Sequence, residues 1–344
     1  GGWLIEISNW HWIFLVNVPV GILAVVLVLR FVEQPHFTPP VGEEKNIDLF
    51  GLGLLVVGMP ALQYVLEEGN REGWLESRTI VVLAAVAAIS LVTFVVHELE
   101  TKRPIMDLRV FANRSYSAGT GLNFLTGFAL FGGSYLFSLF GGAVIHYTAL
   151  DLGSVFLVSG TVSVVLMPLM GKLTPKVDGR YLLFIGVAIV ASSQLVASRL
   201  TAEAGYWDLV APNMIRSFGL AFIFIPVTVM ALSDLSDAQR GNATGLFNLT
   251  RELGGSIGTA MMGMVVTDGA KRNASYLSEH VTPYSAIASE QMRAMSATKS
   301  GVAETLMSMR ISQQAMVLSF EHGFQLVAVA IALGAGLVLL LKRP

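Results

Sequence analysis

The chain contains no cysteine. That excludes disulfides, thiolate metal sites and cysteine nucleophiles, and leaves the redox compartment open. Charge is scarce too. Only 13% of the 344 residues are Asp, Glu, Lys or Arg, against about 25% in an average soluble domain. With 22 basic and 24 acidic side chains the formal net charge is −2, so no global basic field invites nucleic acid. The histidines, His11, His36, His97, His146, His280 and His322, are scattered singly. "HELE" at His97 lacks the second histidine of a zinc-protease motif. There is no nucleophile elbow, P-loop, aspartate-rich prenyltransferase motif or signal peptide. These absences argue against an enzyme, and they imply neither a metal nor a cofactor.

What is present is apolar. Mean hydropathy is +0.65 and 53% of residues are hydrophobic. Length alone would suggest two or three soluble domains. The hydropathy argues instead for one all-α bundle in a bilayer, whose core takes roughly 20 apolar residues per helix because unpaired backbone groups are costly in lipid. Nine runs qualify: Trp12–Val32, Leu49–Leu66, Thr79–Val96, Ser117–Tyr147, Gly153–Leu173, Tyr181–Ser198, Leu209–Leu232, Gly245–Val266 and Gly323–Leu341. The fourth exceeds one crossing, so part of it should project from the membrane.

Orientation follows from lysine and arginine in the connections. The segments after spans 1, 3, 5 and 7, with the tail, hold Lys45; Lys102, Arg103, Arg109 and Arg114; Lys172, Lys176 and Arg180; Arg240; and Lys342 and Arg343, eleven in all. The segments after spans 2, 4 and 6 hold three, Arg71, Arg78 and Arg199. The eleven-charge side, with the C-terminus, should be cytoplasmic. The chain starts at Gly1 without a methionine, shortly before a span. It reads as a piece of a longer protein lacking an odd number of upstream helices.

The long outer segment, 268–322, is rich in the helix formers Ala, Met, Gln and Glu. Met292, Met295, Leu306, Met309 and Met316 recur at roughly helical spacing. One or two amphipathic helices lying over the outer mouth are expected.

Charges inside spans are the main functional signal. Asn248, Arg251, Glu252, Gly255 and Thr259 follow i, i+3, i+4, i+7, i+11 and share one face of span 8. Arg251 would lie about 10 Å in from a start near Thr244, where a charge costs roughly 2.5–3.5 kcal/mol at mid-bilayer. One reading is a charged face lining an aqueous pathway. Two others stand beside it: snorkelling to headgroup water, and an ion pair with a neighbouring helix. Arg216, with Asn213 nearby, sits inside span 7 and has the same two faces, a pathway residue or a buried arginine paired to a carbonyl or an acid. Span 4 is glycine-rich, with Asn123, Thr126, Ser134 and Ser138 near one face and Phe131, Tyr135 and Phe137 beside them. Tight helix packing and a pore-lining helix are both open. Gln63 and Tyr64 fit interhelical hydrogen bonds.

The opening "GGWLIEISNWHWIFLVNVPVG" resembles the end of the antiporter motif and the tryptophan-rich start of the sixth span in the fourteen-span drug:proton antiporters of the major facilitator superfamily, the EmrB/QacA type. Gly1 and Gly2 correspond to the motif's last glycines, and Trp10, Trp12, Phe14, Asn17 and Pro19 match the sixth-span entry. "DLFGLGLLVVGMPALQYVLEEGNREGW" resembles that branch's seventh span, "PIMDLRVFANRSYSAG" the approach to the ninth, and "LFNLTRELGGSIGTA", with Gly254 and Gly255, the thirteenth. "GKLTPKVDGRYLL" matches the family's loop motif only in part, keeping Asp178 and Arg180 but placing Pro175 where an acid is usual.

The resemblance implies the C-terminal portion of a fourteen-span fold. Residues 1–32 would end the N-terminal six-helix half, 33–116 would be two extra central spans with a cytoplasmic linker, and 117–344 the C-terminal six-helix half. It implies a multi-pass protein of the bacterial inner (plasma) membrane, exporting amphipathic or cationic small molecules in exchange for protons. The membrane carboxylates it would assign to coupling lie largely outside this chain, leaving Glu252 as the main candidate. Some transporters of the branch in double-membraned bacteria hand substrate to a periplasmic adaptor protein and an outer-membrane channel, so such partners are implied too. A non-transporting membrane scaffold, or an exporter of a dedicated siderophore or lipid, would share the architecture.

Overall fold

The computed structural model describes residues 2–7, 9–31, 48–101, 104–280 and 303–342. Gly1 therefore lies outside the described residues, as do residues 281–302 of the long outer segment. Among the described residues there is no strand. A short helix α1 (Gly2–Ile7) is followed by nine long ones: α2 (His11–Phe31), α3 (Leu49–Glu68), α4 (Arg78–Glu100), α5 (Arg114–Ala143), α6 (Ala149–Leu173), α7 (Gly179–Ala197), α8 (Tyr206–Leu232), α9 (Asp237–His280) and α10 (Ala303–Val338). Eight of these, all but α9, are long and apolar enough to cross a membrane. The eighth run of the sequence is helical as well, inside α9, where Arg251, Glu252 and Asn248 dilute its hydropathy.

The helices start where side chains supply the missing acceptors of the first turn. Asp48 accepts from Gly51 N at 3.0 Å at the head of α3, and Asn113 from Tyr116 N at 3.1 Å at the head of α5. Thr148 and Asp151 form a reciprocal capping box on α6. Asp178 accepts from Arg180 N at 3.0 Å to open α7.

The last six helices form one bundle. α5 runs through it against α8, α9 and α10, while α6 and α7 flank α8, and α10 packs on α7 and α9. Its core is aromatic where α5 meets α10: Phe137 lies 5.0 Å from Phe324 and Phe140 5.2 Å from Phe320, centre to centre. α5 and α9 approach through glycine. A Cβ on Gly127 would stand 2.1 Å from Arg251 O, and one on Gly254 2.1 Å from Phe124 O. Only hydrogen at these Cα atoms lets the two backbones touch. Gly255 makes room for the Phe131 ring in the same way.

α3 and α4 form a hairpin whose α3 docks on α9. Ser256 Oγ donates to Gln63 Oε1 at 2.7 Å, and Asn70 Nδ2 to Thr267 Oγ1 at 3.1 Å. Tyr64, by contrast, bonds within its own hairpin, donating to Glu72 Oε1 at 3.1 Å. α2 buries no residue; Trp12 is exposed, Asn17 Nδ2 donates to Ile13 O at 3.2 Å, and Pro19 falls in the first turn of Asn17–Phe31, where its missing N–H is not needed. Gly2 brings α1 against the backbone of Ala149, at the start of α6.

The fourth run is one helix of 30 residues with a π-turn at Phe128–Gly132, ending at Ala143. At 1.5 Å per residue it is about 45 Å long, more than a ~30 Å layer needs, and beyond it Tyr147 N closes back onto Gly141 O at 2.8 Å. One expectation changes. The described parts of the outer segment are not separate helices lying over a mouth. Residues 268–280 continue α9 and residues 303–322 begin α10. At 1.5 Å per residue α9 is about 66 Å long and α10 about 54 Å, well beyond a ~30 Å hydrocarbon layer. The two extensions run side by side, with Asn273 Nδ2 donating to Ser319 Oγ at 3.1 Å. They meet through Asn273, Gly269 and Ser319, while Leu306 and Met309 stay exposed.

Candidate functional site

The two arginines expected inside spans are both there, in opposite surroundings. Arg216 of α8 is 3% exposed. Its Nε and Nη2 both donate to Asn213 Oδ1, at 3.1 and 2.6 Å, one turn earlier on the same helix. Its Nη1 donates to Leu130 O at 2.9 Å and to Ser134 Oγ at 3.1 Å. The guanidinium also lies over the Phe137 ring, 5.4 Å from its centre. Asn213 Nδ2 extends the network to Ser159 Oγ on α6 at 3.1 Å.

The π-turn explains how α5 serves this charge. Its wider i→i+5 pattern occurs where Leu130 O accepts from both Arg216 Nη1 and Ser134 Oγ. No carboxylate pairs with Arg216 among the described residues. Neutral carbonyl, amide and hydroxyl oxygens carry the whole desolvation penalty. Leu130 O, Ser134 Oγ and Asn213 Oδ1 are thus the partners of Arg216.

Arg251 and Glu252 lie on α9, at a cleft of about 560 Å3 between α5, α6, α8 and α9. Leu130, Phe131, Met167, Phe224, Ile225, Thr228 and Val229 complete the lining. The Arg251 side chain is 29% exposed and Glu252 58%, and their closest N···O approach is 3.9 Å. Arg251 Cζ lies 5.6 Å from the Phe224 ring centre. Asn248, one turn before, is exposed, and Thr259, two turns on, lines a different cleft. That cleft, of about 240 Å3, gathers Tyr135 with Glu67, Glu68, Asn70 and Arg71 from α3 and its outer turn. A third hollow, of about 710 Å3, lies under the α6–α7 loop. It carries Lys176 and Asp178 and shares Ile225 and Val229 with the Arg251 cleft. Arg180 reaches across to the carbonyl of Leu341, and Lys342 N donates to Ser115 Oγ at 3.1 Å, tying the tail over the ends of α5 and α7.

Asn123 and Thr126 are fully buried and line none of these three clefts. Asn123 Nδ2 donates to Phe247 O of α9 at 2.7 Å, and Thr126 Oγ1 to Leu122 O at 2.8 Å. Helical spacing puts them on one face with Ser134 and Ser138. The π-turn breaks that phase, sending Ser134 to Arg216 and leaving Ser138 exposed.

Two groups escape the sequence reading. Gln194 of α7 is fully buried beside Arg216, both facing the Gly133 Cα, and its amide atoms have no partner among the described residues. A lone glutamine in an apolar span is the signal that could have found it. At the head of α3, His97 Nε2 meets Asp48 Oδ2 at 2.7 Å. The Gly51 N–H, then burial working the other way, then His97 leave the Asp48 carboxyl below its ordinary value. Among the described residues, no group of three or more His, Asp or Glu could hold a metal ion.

Known proteins share much of this sequence. The chain is 30% identical over 324 residues to the multidrug export protein EmrB of Haemophilus influenzae, covering 94% of this chain and 62% of that one. It is 29% identical to EmrB of Escherichia coli over all of this chain and 67% of the relative. It thus spans about two thirds of the length of these curated relatives. The crystal structure of a bacterial homolog to the human lysosomal transporter Spinster, inward-facing and unoccupied, is 16% identical, with a TM-score of 0.45 over 85% of this chain and 70% of that one. Residues 1–259 match the family profile of the Major Facilitator Superfamily, and with three quarters of its length inside that match the chain belongs to this family of membrane transporters.

Proposed function

We propose that this chain forms the exit machinery of a proton-coupled exporter of amphipathic or cationic small molecules, working by alternating access in the bacterial inner membrane. The observation that carries the reading is the Arg251–Glu252 cleft. It is apolar, large enough for a small ligand, and bordered by two charges on a helix that also packs within the bundle. A membrane scaffold has no need of such a cleft. The export proteins named above, similar along nearly all of this chain, support the same reading. Residues 117–344 then act as the C-terminal six-helix half, 33–116 as two added central spans and their linker, and 1–32 as the end of the preceding half. The excess of Lys and Arg beside α5, α7 and the tail supports a cytoplasmic C-terminus.

In this reading Glu252 takes up and releases protons, and substrate binding competes with its protonation. Its side chain is 58% exposed, so a proton can reach it from an aqueous cleft. In everted vesicles from cells making the full transporter, Glu252→Gln should abolish pH-driven dye efflux while membrane insertion persists. Efflux left unchanged by Glu252→Gln removes Glu252 from coupling. The paired extensions of α9 and α10 would be the contact for a periplasmic adaptor protein, and through it an outer-membrane channel. Replacing residues 275–312 by a Gly/Ser linker should then lower efflux from whole cells into the medium and spare transport in proteoliposomes. Equal loss in both assays would assign the extension to the transporter's own gate.

A further inference from the structure

Arg251 has hydrogen-bonding capacity left unused inside the bundle. A guanidinium carries five N–H donors in a planar fork. Arg216 spends Nε, Nη1 and Nη2 on protein oxygens. Among the described residues the Arg251 guanidinium donates to none. Its charged neighbour Glu252 is 3.9 Å away at the nearest, outside hydrogen-bond reach. The cleft contains few other polar groups. Thr228 Oγ1 already donates to Phe224 O at 2.8 Å and has only acceptor capacity left. Glu252, when ionised, accepts only. Arg251 is therefore the one side-chain donor among the residues lining this cleft.

The rest of the wall is Leu130, Phe131, Met167, Phe224, Ile225 and Val229. An apolar trough closed by one positive fork complements a molecule with one negative planar head and one apolar tail. Carboxylate matches the fork bidentately. A single arginine among the lining residues suits a single negative charge. Glu252 is the weaker pole: its side chain is twice as exposed as that of Arg251, and charge interactions fade toward bulk water.

We propose that Arg251 determines the specificity of this cleft and selects amphipathic monocarboxylates, the head group on its guanidinium and the tail along Phe131, Met167 and Phe224. This deepens the exporter reading and rests on it for the claim that the ligand is moved; binding is measured separately.

The test uses the full transporter in phosphatidylcholine nanodiscs, with empty nanodiscs subtracted. Titrate dodecanoate and dodecyltrimethylammonium by calorimetry near neutral pH. Dodecanoate should bind at least about tenfold tighter than the cation, and Arg251→Gln should weaken it by roughly ten- to a hundredfold, the range for a hydrogen bond to a charged group. Arg251→Lys should fall between, because it keeps the charge and loses the fork. Glu252→Gln should tighten dodecanoate, since the competing carboxylate is gone. Thermal unfolding of each variant checks that the bundle is intact. Tighter binding of the cation, lost in Glu252→Gln, overturns the proposal, as does dodecanoate affinity unchanged by Arg251→Gln or no binding of either probe. If added phosphatidylglycerol abolishes dodecanoate binding, the occupant is a lipid head group and the proposal falls. None of these results decides whether the protein exports. The vesicle assay with Glu252→Gln does that independently.

Discussion

Arg216 and Arg251 are the same residue type, each set within an apolar helix run, and the fold uses them in opposite ways. Around Arg216 the protein has supplied an asparagine, a serine, a backbone carbonyl and a phenylalanine face, and water is shut out. Around Arg251 it has supplied a phenylalanine face and a distant carboxylate. A buried charge with its bonds complete is part of the architecture. A half-exposed charge with its bonds unspent is available to something that comes and goes. An intramembrane arginine in a sequence therefore announces a decision the sequence does not reveal, and the donor count in the fold reveals it.

The comparison breaks most directly if both arginines are replaced by methionine. Arg216→Met strands the Asn213 side-chain carbonyl in an apolar interior, while Leu130 O keeps Ser134 Oγ, and should destabilise the bundle by about 1–3 kcal/mol, read as a lowered melting temperature in nanodiscs. Arg251→Met leaves only the well-exposed Glu252 carboxylate without its neighbouring cation and should stay within about 0.5 kcal/mol of the parent. Equal losses would mean the two sites are alike and the distinction drawn from their hydrogen bonds is wrong.

A smaller effect sharpens the same scale. Asp48 lies between the extremes, half-buried, capping α3 and meeting His97 at 2.7 Å. Its folded pKa is held below the ordinary 3.8, chiefly by the Gly51 N–H. A depressed carboxyl contributes stability above its unfolded pKa and loses it as pH falls through the folded one. The melting-temperature gap between the parent and Asp48→Asn should thus be present near neutral pH and close below about pH 4. A gap that persists there would make the contribution one of shape rather than charge.

Much of the fold is legible in the sequence. All nine apolar runs fold mainly as helix where they are described, because about 20 predominantly apolar residues have little alternative in lipid. The family likeness carried by the tryptophan-rich opening and "LTRELGGSIGTA" agrees with the profile match. Gln63 makes the interhelical bond that its place in a span suggests. Phase and partner are what the sequence hides. Helical spacing shows that Asn123, Thr126 and Ser134 share a face. It cannot show that Asn123 meets the backbone of Phe247, or that five residues of π-turn lie between Thr126 and Ser134. Where residues 268–322 are described, at 268–280 and 303–322, the helix that the composition announces is there. That those helices are continuations of α9 and α10 depends on two faces finding each other across a long stretch of chain, which no local pattern records.

The π-turn has one more consequence, and it concerns insertion and deletion rather than substitution. Each helical residue advances its side chain by about 100°, so the wide turn at Phe128–Gly132 acts as a phase offset between the two halves of α5. The first half is timed to the glycines of α9, the second to Arg216 and to Phe320 and Phe324 of α10. Removing a single residue there would let α5 close into an uninterrupted α-helix with both halves still close to their present faces, because about five residues of the wider turn advance the chain as far as about four α-helical ones. What would go is the widened stretch itself, and with it the opening through which Leu130 O meets Arg216. The turn is thus one added residue that frees a carbonyl for a buried charge, although none of its residues is chemically unusual.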